Sequence, residues 1–131
     1  MRKRDQERLA RLLEEERKRR HRQRGELEES VRRSLRDSSG DSAYSQHMAD
    51  VGSDAMEREQ NLMLAASLSR TIEDIDEALR KLRRGTYGDC ESCGCPIDPK
   101  RLEALPYARL CLACQEATDE GRAAGPKAGC P

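Results

Sequence analysis

The chain has 131 residues, of which 35% are hydrophobic, 2% aromatic and 38% charged. An ordinary globular domain is about 45–50% apolar and about 25% charged, so this composition excludes a broad core built on aromatic side chains. No stretch approaches the roughly 20 apolar residues that a membrane-spanning helix needs, and the charged first residues do not predict a secretion signal. The formal net charge is zero, but bases predominate from Arg2 to Arg24 and acids from Asp37 to Glu77. The chain therefore carries two regions of opposite sign.

Residues 5–36 are predicted to form one long helix, because Glu, Arg, Leu and Gln dominate and Pro is absent. Gly25 is the one helix-breaking residue in this segment, with a cost of about 1 kcal/mol relative to Ala. The apolar residues fall on one stripe, which is empty between the third and fourth members: Leu9, Leu12, Leu13, Leu27, Val31 and Leu35. The basic residues are most simply a solvated helix face. Asp, Ser and Gly at positions 37–42 then predict a loop.

A second helix is predicted from Asp54 to Arg84. Ser53 or Asp54 can cap its start, and Gly85 follows a basic last turn that suits the C-terminal end of a helix. The apolar residues are spaced by 3 and 4, as in a coiled-coil seam: Ala65, Leu68, Ile72, Ile75, Leu79 and Leu82. Two long helices with one interruption are expected to form an antiparallel hairpin within the chain. Pairing between two chains is the alternative.

Two C-x-x-C pairs follow the second helix: Cys90 with Cys93 and, after 17 intervening residues, Cys111 with Cys114. This separation is typical of a zinc site, because each turn presents two thiolates to one ion and four thiolates complete a tetrahedral shell. A closed shell leaves no position for a substrate, so one structural Zn²⁺ is predicted. Its binding free energy would contribute to folding. Disulfides or a redox thiol pair are the alternatives, and both fit a reducing compartment less well.

The remaining cysteines, Cys95 and Cys130, lie outside the two pairs and are expected to be spare thiols, with redox sensitivity as the alternative. Prolines between the pairs prevent a long helix there. A small core over the metal is expected from Ile97, Leu102 and Leu105.

The predicted fold class is therefore mainly α, with three parts. Residues 1–84 form a long antiparallel helical hairpin, a coiled coil with an acidic tip around residues 40–54. Residues 85–122 form a four-cysteine zinc finger at its base and a short C-terminal helix, which is predicted from residue 115. Residues 123–131, rich in Gly, Ala and Pro, predict a disordered tail.

Three stretches of the finger carry a family resemblance: Tyr87–Gly94 (YGDCESCG), Arg101–Pro106 (RLEALP) and Cys111–Gln115 (CLACQ). They resemble the DksA/TraR family of bacterial zinc-finger proteins, and the preceding helix aligns in the expected register. The resemblance implies the same plan of hairpin, finger and C-terminal helix. It also implies a cytoplasmic regulator of transcription that binds RNA polymerase. In that family the hairpin enters the secondary channel of the polymerase, where acidic residues at the tip act near the active site to modulate initiation.

The resemblance also indicates which residues would contact the polymerase. Family members carry two aspartates three residues apart at the tip; Asp50 matches the second, and His47 stands at the first. Asp54, one helical turn further on, is a candidate substitute. The positions that match family contacts to the alarmone ppGpp are not basic in this chain, so no synergy with ppGpp is expected: Ser67, Asp74 and Gln115. A monomer that binds neither membranes nor specific DNA sequences is expected.

Two other functions stay open at this point. The bases from Arg2 to Arg24 could contact phosphates in a nucleic-acid-binding zinc ribbon, whose binding would fall steeply with salt. The finger itself offers few bases and no aromatic cluster for this role. A thiol or zinc redox sensor is the second alternative. An enzyme is not expected, because the sequence has no Ser–His–Asp order, phosphate loop or open metal site.

Overall fold

A computed structural model describes residues 2–38 and 48–121 of the chain. Four helices account for most of these residues: α1 (Lys3–Ser38), α2 (Met48–Arg84), α3 (Pro99–Ala104) and α4 (Leu112–Asp119). Within the two described ranges the only β-type pairing is an isolated bridge between Asp89 and Pro96. The predicted mainly α class is confirmed. None of the described helices combines the length and apolarity required to cross a membrane.

Helix α1 is continuous through Gly25. A Cβ at this position would meet nothing within 4 Å, so the glycine lies on an open face and disturbs no packing. Its neighbour Arg24 donates to Ser69 Oγ on α2 at 3.3 Å and pairs with Glu28 one turn further along α1. The cost of one glycine is about 1 kcal/mol, which a helix supported by tertiary contacts on both sides tolerates.

Two of the predicted core leucines of α1 do not belong to the core. Leu12 and Leu35 are each 52% exposed, whereas Leu13 is 1% and Val31 is 7% exposed. One residue corresponds to about 100° of rotation around an α-helix. Because Leu13 points directly at the partner helix, Leu12 is rotated away from it. The predicted apolar stripe of α1 was therefore too wide.

Helix α2 begins at Met48, six residues before the predicted start. The prediction that Ser53 or Asp54 caps the helix is wrong, because both residues lie inside it. Gly52 does not interrupt the helix. The predicted end is correct: Gly85 has a φ of +78°, and the Thr86 N–H donates to the Lys81 carbonyl at 2.9 Å. This six-to-one hydrogen bond with a left-handed glycine is a Schellman motif.

The described residues form two compact units, and the first combines residues 2–17 with residues 73–121. Its core consists of Leu13 from α1 and of Ile75, Ala78 and Leu79 from α2. Tyr87 and Tyr107 of the finger pack against this cluster, so the finger lies at the base of the hairpin. The Arg17 Nε also pairs with Asp76 at 2.6 Å. The start of α1 thus packs against the end of α2 of the same chain, which confirms the intramolecular antiparallel hairpin.

The second unit comprises residues 18–72, and within it the end of α1 pairs with the beginning of α2. Val31, Ala65 and Ile72 are buried. Arg58 donates to Ser34 Oγ at 3.0 Å, so a residue late in α1 meets one early in α2. The predicted seam of α2 is confirmed: four members are buried across the two units, and Leu68 and Leu82 are half-buried. The predicted tip region lies mostly outside the described residues, because residues 39–47 are not among them.

The segment after α2 is short and irregular apart from α3 and α4. Asp98 caps α3 by accepting a hydrogen bond from the Lys100 N–H at 2.9 Å, with Pro99 at the first helical position. The short C-terminal helix was predicted from residue 115, but α4 begins at Leu112. The second C-x-x-C turn therefore forms the first turn of that helix. The predicted tail at 123–131 lies outside the described residues.

Candidate metal centre

The four paired cysteines meet at one point in the first unit. The Sγ atoms of Cys90, Cys93, Cys111 and Cys114 all lie within 4.8 Å of one another, and those of Cys93 and Cys111 are 3.8 Å apart. Four sulfurs at about 2.3 Å from a central zinc ion stand about 3.8 Å apart along the edges of a tetrahedron. The thiol cluster therefore fits a tetrahedral Zn²⁺ site. Within the described ranges it is the only group of this kind.

The first pair is held by a tight turn. The Cys90 N–H donates to the Cys95 carbonyl at 2.8 Å, and the Gly94 N–H donates to the Cys90 carbonyl at 3.0 Å. Gly94 adopts a φ of +76°, which reverses the chain directly after Cys93 at little steric cost. The bridge between Asp89 and Pro96 closes the base of this turn. The sequence C-x-x-C-G thus folds locally into a shape that points both sulfurs inward.

The second pair is positioned by helix α4. Cys111 occupies the N-cap position, and Cys114 lies in the first turn. The Gln115 N–H donates to the Cys111 carbonyl at 2.9 Å, so the helical pattern starts at the cysteine itself. Both sulfurs therefore stand at a helix N-terminus, where free N–H groups and the helix dipole favour negative charge.

One cysteine of each pair is shielded from water, and the other two, Cys93 and Cys111, are half-buried. Cys90 is 3% and Cys114 is 1% exposed, and both belong to a small core with Ile97, which is 3% exposed. Leu102 and Leu110 pack against this core. The expectation for Ile97 and Leu102 is confirmed, but Leu110 stands where Leu105 was expected. An apolar surround of this kind excludes competing water ligands.

Hydrogen bonds within the cluster shift the pKa values of two of its thiols in opposite directions. Burial would raise the pKa of Cys90, but backbone N–H groups at Cys93, Cys111 and Ser92 outweigh it and lower the pKa to about 6. By contrast, the hydrogen bond with Cys111, followed by burial, raises the pKa of Cys114 to about 12. These shifts favour the thiolate at Cys90 and the thiol at Cys114, and a bound cation would favour the thiolate at both.

An ion-pair network around the buried Lys81 connects the first cysteine turn to helix α2. The Lys81 Nζ lies 2.9 Å from Glu91 Oε1, and Lys81 is only 7% exposed. Arg109 contacts the same carboxylate at 2.9 Å and reaches Asp74 at 3.3 Å. Hydrogen bonds from Arg109 and Lys81 outweigh burial and lower the pKa of Glu91. The sequence marked Lys81 only as a cation near a helix end, because nothing local indicates which acid it meets.

The other predicted site residues lie apart from the thiol cluster. Asp50 is in the first turn of α2, and Asp54 lies one turn further on with an exposed side chain. His47 lies outside the described residues. Cys95 is 5% exposed and forms a disulfide bond, so the expectation that it is a spare thiol is wrong. Cys130 also lies outside the described residues.

A helical hairpin with a four-cysteine finger at its base defines a C4-type zinc-finger protein. Residues 85–120 match the model of the prokaryotic dksA/traR C4-type zinc finger. An uncharacterized protein of Haemophilus influenzae is 38% identical over 79 residues, which cover 57% of this chain and 100% of that protein. The chain belongs to the DksA/TraR family.

Two characterised proteins share this similarity. The RNA polymerase-binding transcription factor DksA of Caulobacter vibrioides is 39% identical over 69 residues, or 53% of this chain. The solved structure of transcription factor DksA2 from Pseudomonas aeruginosa matches with a TM-score of 0.71 and 28% identity, covering 91% of this chain and 86% of that chain. The chain spans only about half the length of these relatives. The match covers 49% of the Caulobacter protein and 42% of general stress protein 16O from Bacillus subtilis.

Proposed function

We propose that this chain is a non-enzymatic regulator of transcription that binds RNA polymerase. The observation that carries the proposal is its family, since a Caulobacter relative with 39% identity is an RNA polymerase-binding transcription factor. The fold supports it, because the DksA2 structure matches most of both chains. In this proposal the protein acts as a monomer in the bacterial cytoplasm.

The proposal assigns one structural zinc ion to Cys90, Cys93, Cys111 and Cys114. The fitting distances between the sulfurs and the burial of Cys90 and Cys114 support this assignment. The ion would supply a cross-link between the first cysteine turn and α4. The side chain of Glu91 then connects the finger to α2, because it reaches Lys81 from within the same turn. Four thiolates would fill the coordination shell, so no catalytic role follows.

Metal content tests the zinc assignment directly. Purified wild-type protein is expected to contain one zinc ion per chain by mass spectrometry of the metal. The Cys114→Ser variant is expected to lose zinc, because three thiolates bind the ion more weakly than four. The Thr118→Ser variant, at an exposed position of α4, is the control and is expected to keep full zinc content. Wild-type protein without zinc, or equal zinc content in both variants, would contradict the assignment.

The second part of the proposal concerns the acidic end of the hairpin. We assign contact with the secondary channel of the polymerase to Asp50 and Asp54, together with His47. Two features of α2 support this assignment. Because the helix begins at Met48, the two aspartates are four residues apart in one helix and lie on the same face. Asp54 is exposed. Carboxylates on a slender helix pair suit a channel that presents basic side chains and bound magnesium.

A pull-down with purified bacterial core RNA polymerase tests the partner and the tip separately. Wild-type protein is expected to be retained, and the double variant Asp50→Asn/Asp54→Asn about tenfold more weakly, which corresponds to about 1.4 kcal/mol. The double variant Glu7→Gln/Glu14→Gln removes the same charge from exposed positions on α1 and is expected to bind normally. If the wild-type protein were not retained, the assignment of RNA polymerase as the partner would be overturned. Normal retention of the aspartate variant would overturn the tip assignment alone.

The proposal includes no synergy with ppGpp. The residues that match the family's contact positions include Asp74, which pairs with Arg109, and Gln115, which donates to Asp119 at 3.0 Å. Neither residue offers a cation to a phosphate. An initiation assay with and without ppGpp is therefore expected to give the same effect of the protein.

A further inference from the structure

The contact between the two long helices becomes polar towards the acidic end of the hairpin. Within the second unit, Val31 on α1 and Ala65 on α2 are buried. Beyond them, in residues 32–37 and 52–64, no side chain is buried. The half-buried residues of these two segments are all polar: Ser34, Arg58 and Asn61. Polar groups rather than an apolar layer therefore hold the helices together at this end.

One hydrogen bond joins the helices in this polar region. The Arg58 guanidinium of α2 donates to Ser34 Oγ of α1 at 3.0 Å. Asp54 and Glu57 lie within one turn of Arg58 on α2, yet neither acid forms an ion pair with any residue in the described ranges. The guanidinium is thus directed across to the other helix, and the exposed carboxylate of Asp54 is not neutralised by it.

The position of this hydrogen bond links it to the acidic residues of α2. Arg58 follows Asp54 by four residues, which is about one helical turn. A hydrogen bond with an ionised donor is stronger than one between neutral groups. It therefore holds the beginning of α2 against the end of α1 close to the acids. Groups that are held in place before binding lose less conformational freedom when a partner docks.

We propose that Arg58 and Ser34 are positioning residues for the contact of Asp50 and Asp54 with RNA polymerase. Their hydrogen bond, which we call the tip bridge, keeps the two helices together where the acids are presented. The proposal rests on the polymerase contact proposed above. It adds two residues that act through the aspartates.

Two substitutions of Ser34 separate the tip bridge from helix propensity, and neither changes the charge of the chain. Ser34→Ala removes the acceptor oxygen, although Ala has the higher helix propensity. Ser34→Thr keeps a hydroxyl group, although Thr has the lower propensity. Ser34 lines a cleft of about 260 Å³, which leaves room for the added methyl group. Ser30→Ala, at an exposed position one turn earlier on α1, is the matched control.

Amide hydrogen exchange of the full-length, zinc-loaded chain measures the tip bridge without polymerase. Exchange in residues 54–64 is expected to be about fivefold faster in Ser34→Ala than in wild type, because the helices separate more often. Ser34→Thr and Ser30→Ala are expected to stay within about twofold of wild type. If Ser34 contributed only helix propensity, Ser34→Ala would exchange no faster than wild type. That result would overturn the proposal.

Retention by purified bacterial core RNA polymerase then tests the positioning role. Ser34→Ala is expected to be retained about fivefold more weakly than wild type, and Ser34→Thr and Ser30→Ala nearly normally. Faster exchange together with normal retention of Ser34→Ala would overturn the positioning role alone. If wild type itself were not retained, the proposed polymerase contact would fail together with the positioning role, and the exchange rates would still decide whether the tip bridge exists.

Discussion

Replacing Leu13 by Ala tests the packing that joins the two long helices. Leu13 is the only α1 side chain in the buried cluster of the first unit, where it meets Ile75, Ala78 and Leu79 of α2. Its neighbour Leu12 is the same residue type, with the same helix propensity, but is 52% exposed. The pair therefore separates burial from local helix formation within one turn.

The expected cost follows from the exposure of each side chain. Leu13 is 1% exposed, so truncation to Ala loses the transfer free energy of the buried methyl groups and leaves a cavity, together about 3 kcal/mol. Leu12→Ala removes a side chain that is already half in water and is expected to change the free energy of unfolding by no more than about 0.5 kcal/mol. Leu13→Met keeps most of the volume and is expected to cost less than about 1.5 kcal/mol.

Urea unfolding of the zinc-loaded protein, followed by circular dichroism at a helical wavelength, measures these differences. The midpoint of Leu13→Ala is expected to shift far below that of wild type, with the midpoint of Leu12→Ala close to wild type. Equal midpoints for the two alanine variants would refute the assignment of Leu13 to the core. So would a loss of less than about 1 kcal/mol for Leu13→Ala.

Two further predictions concern the finger network and the glycines. Glu91→Gln is expected to lower stability by about 1–3 kcal/mol, because it leaves the buried Lys81 without its carboxylate. The folded state lowers the pKa of Glu91, so the stability that its carboxylate contributes is present above pH 4.5 and is lost as the pH falls through the folded pKa. The difference in stability between wild type and Glu91→Gln should therefore vanish at low pH. A difference that vanishes only at high pH would contradict this assignment. Gly25→Ala is expected to raise the thermal midpoint, with a gain of about 0.5–1 kcal/mol, since the position is open and helical. Gly85→Ala is expected to lower the thermal midpoint, because the φ of +78° at this position strains any side chain. A lower midpoint for Gly25→Ala than for Gly85→Ala would refute the roles given to the two glycines.

The elements that could be predicted are those in which the signal is local. The C-x-x-C pairs indicate a metal site because each turn forms from a few neighbouring residues, and the structure brings their four sulfurs together. The seam of α2 could be predicted because an unbroken run of apolar residues spaced by 3 and 4 lies on one side of the helix. Only that side can be buried against a partner helix. The predicted end at Gly85 has the same local basis, since only glycine takes a left-handed φ readily.

Other features depended on residues distant in sequence and could not be predicted. Local composition favoured a cap at Ser53 or Asp54, but α2 extends back to Met48 and includes Gly52. Periodicity gave no indication that Leu12 and Leu13 differ, since the choice depends on how α1 is rotated against α2. Lys81 could be paired with Glu91 only once the finger had folded back onto the helix.

The sequence by itself determined the class of fold, the cysteine set and the family resemblance, because periodicity, spacing and motif are properties of neighbouring residues. Tertiary structure decided which side of α1 is covered, and therefore which charges remain free. The bases of α1 illustrate the difference: they are visible in the sequence, but only the packing of Leu13 against α2 shows that Arg11, two residues away, is on the solvent side. The physical reason is that burial is a relation between segments, whereas propensity belongs to each segment alone.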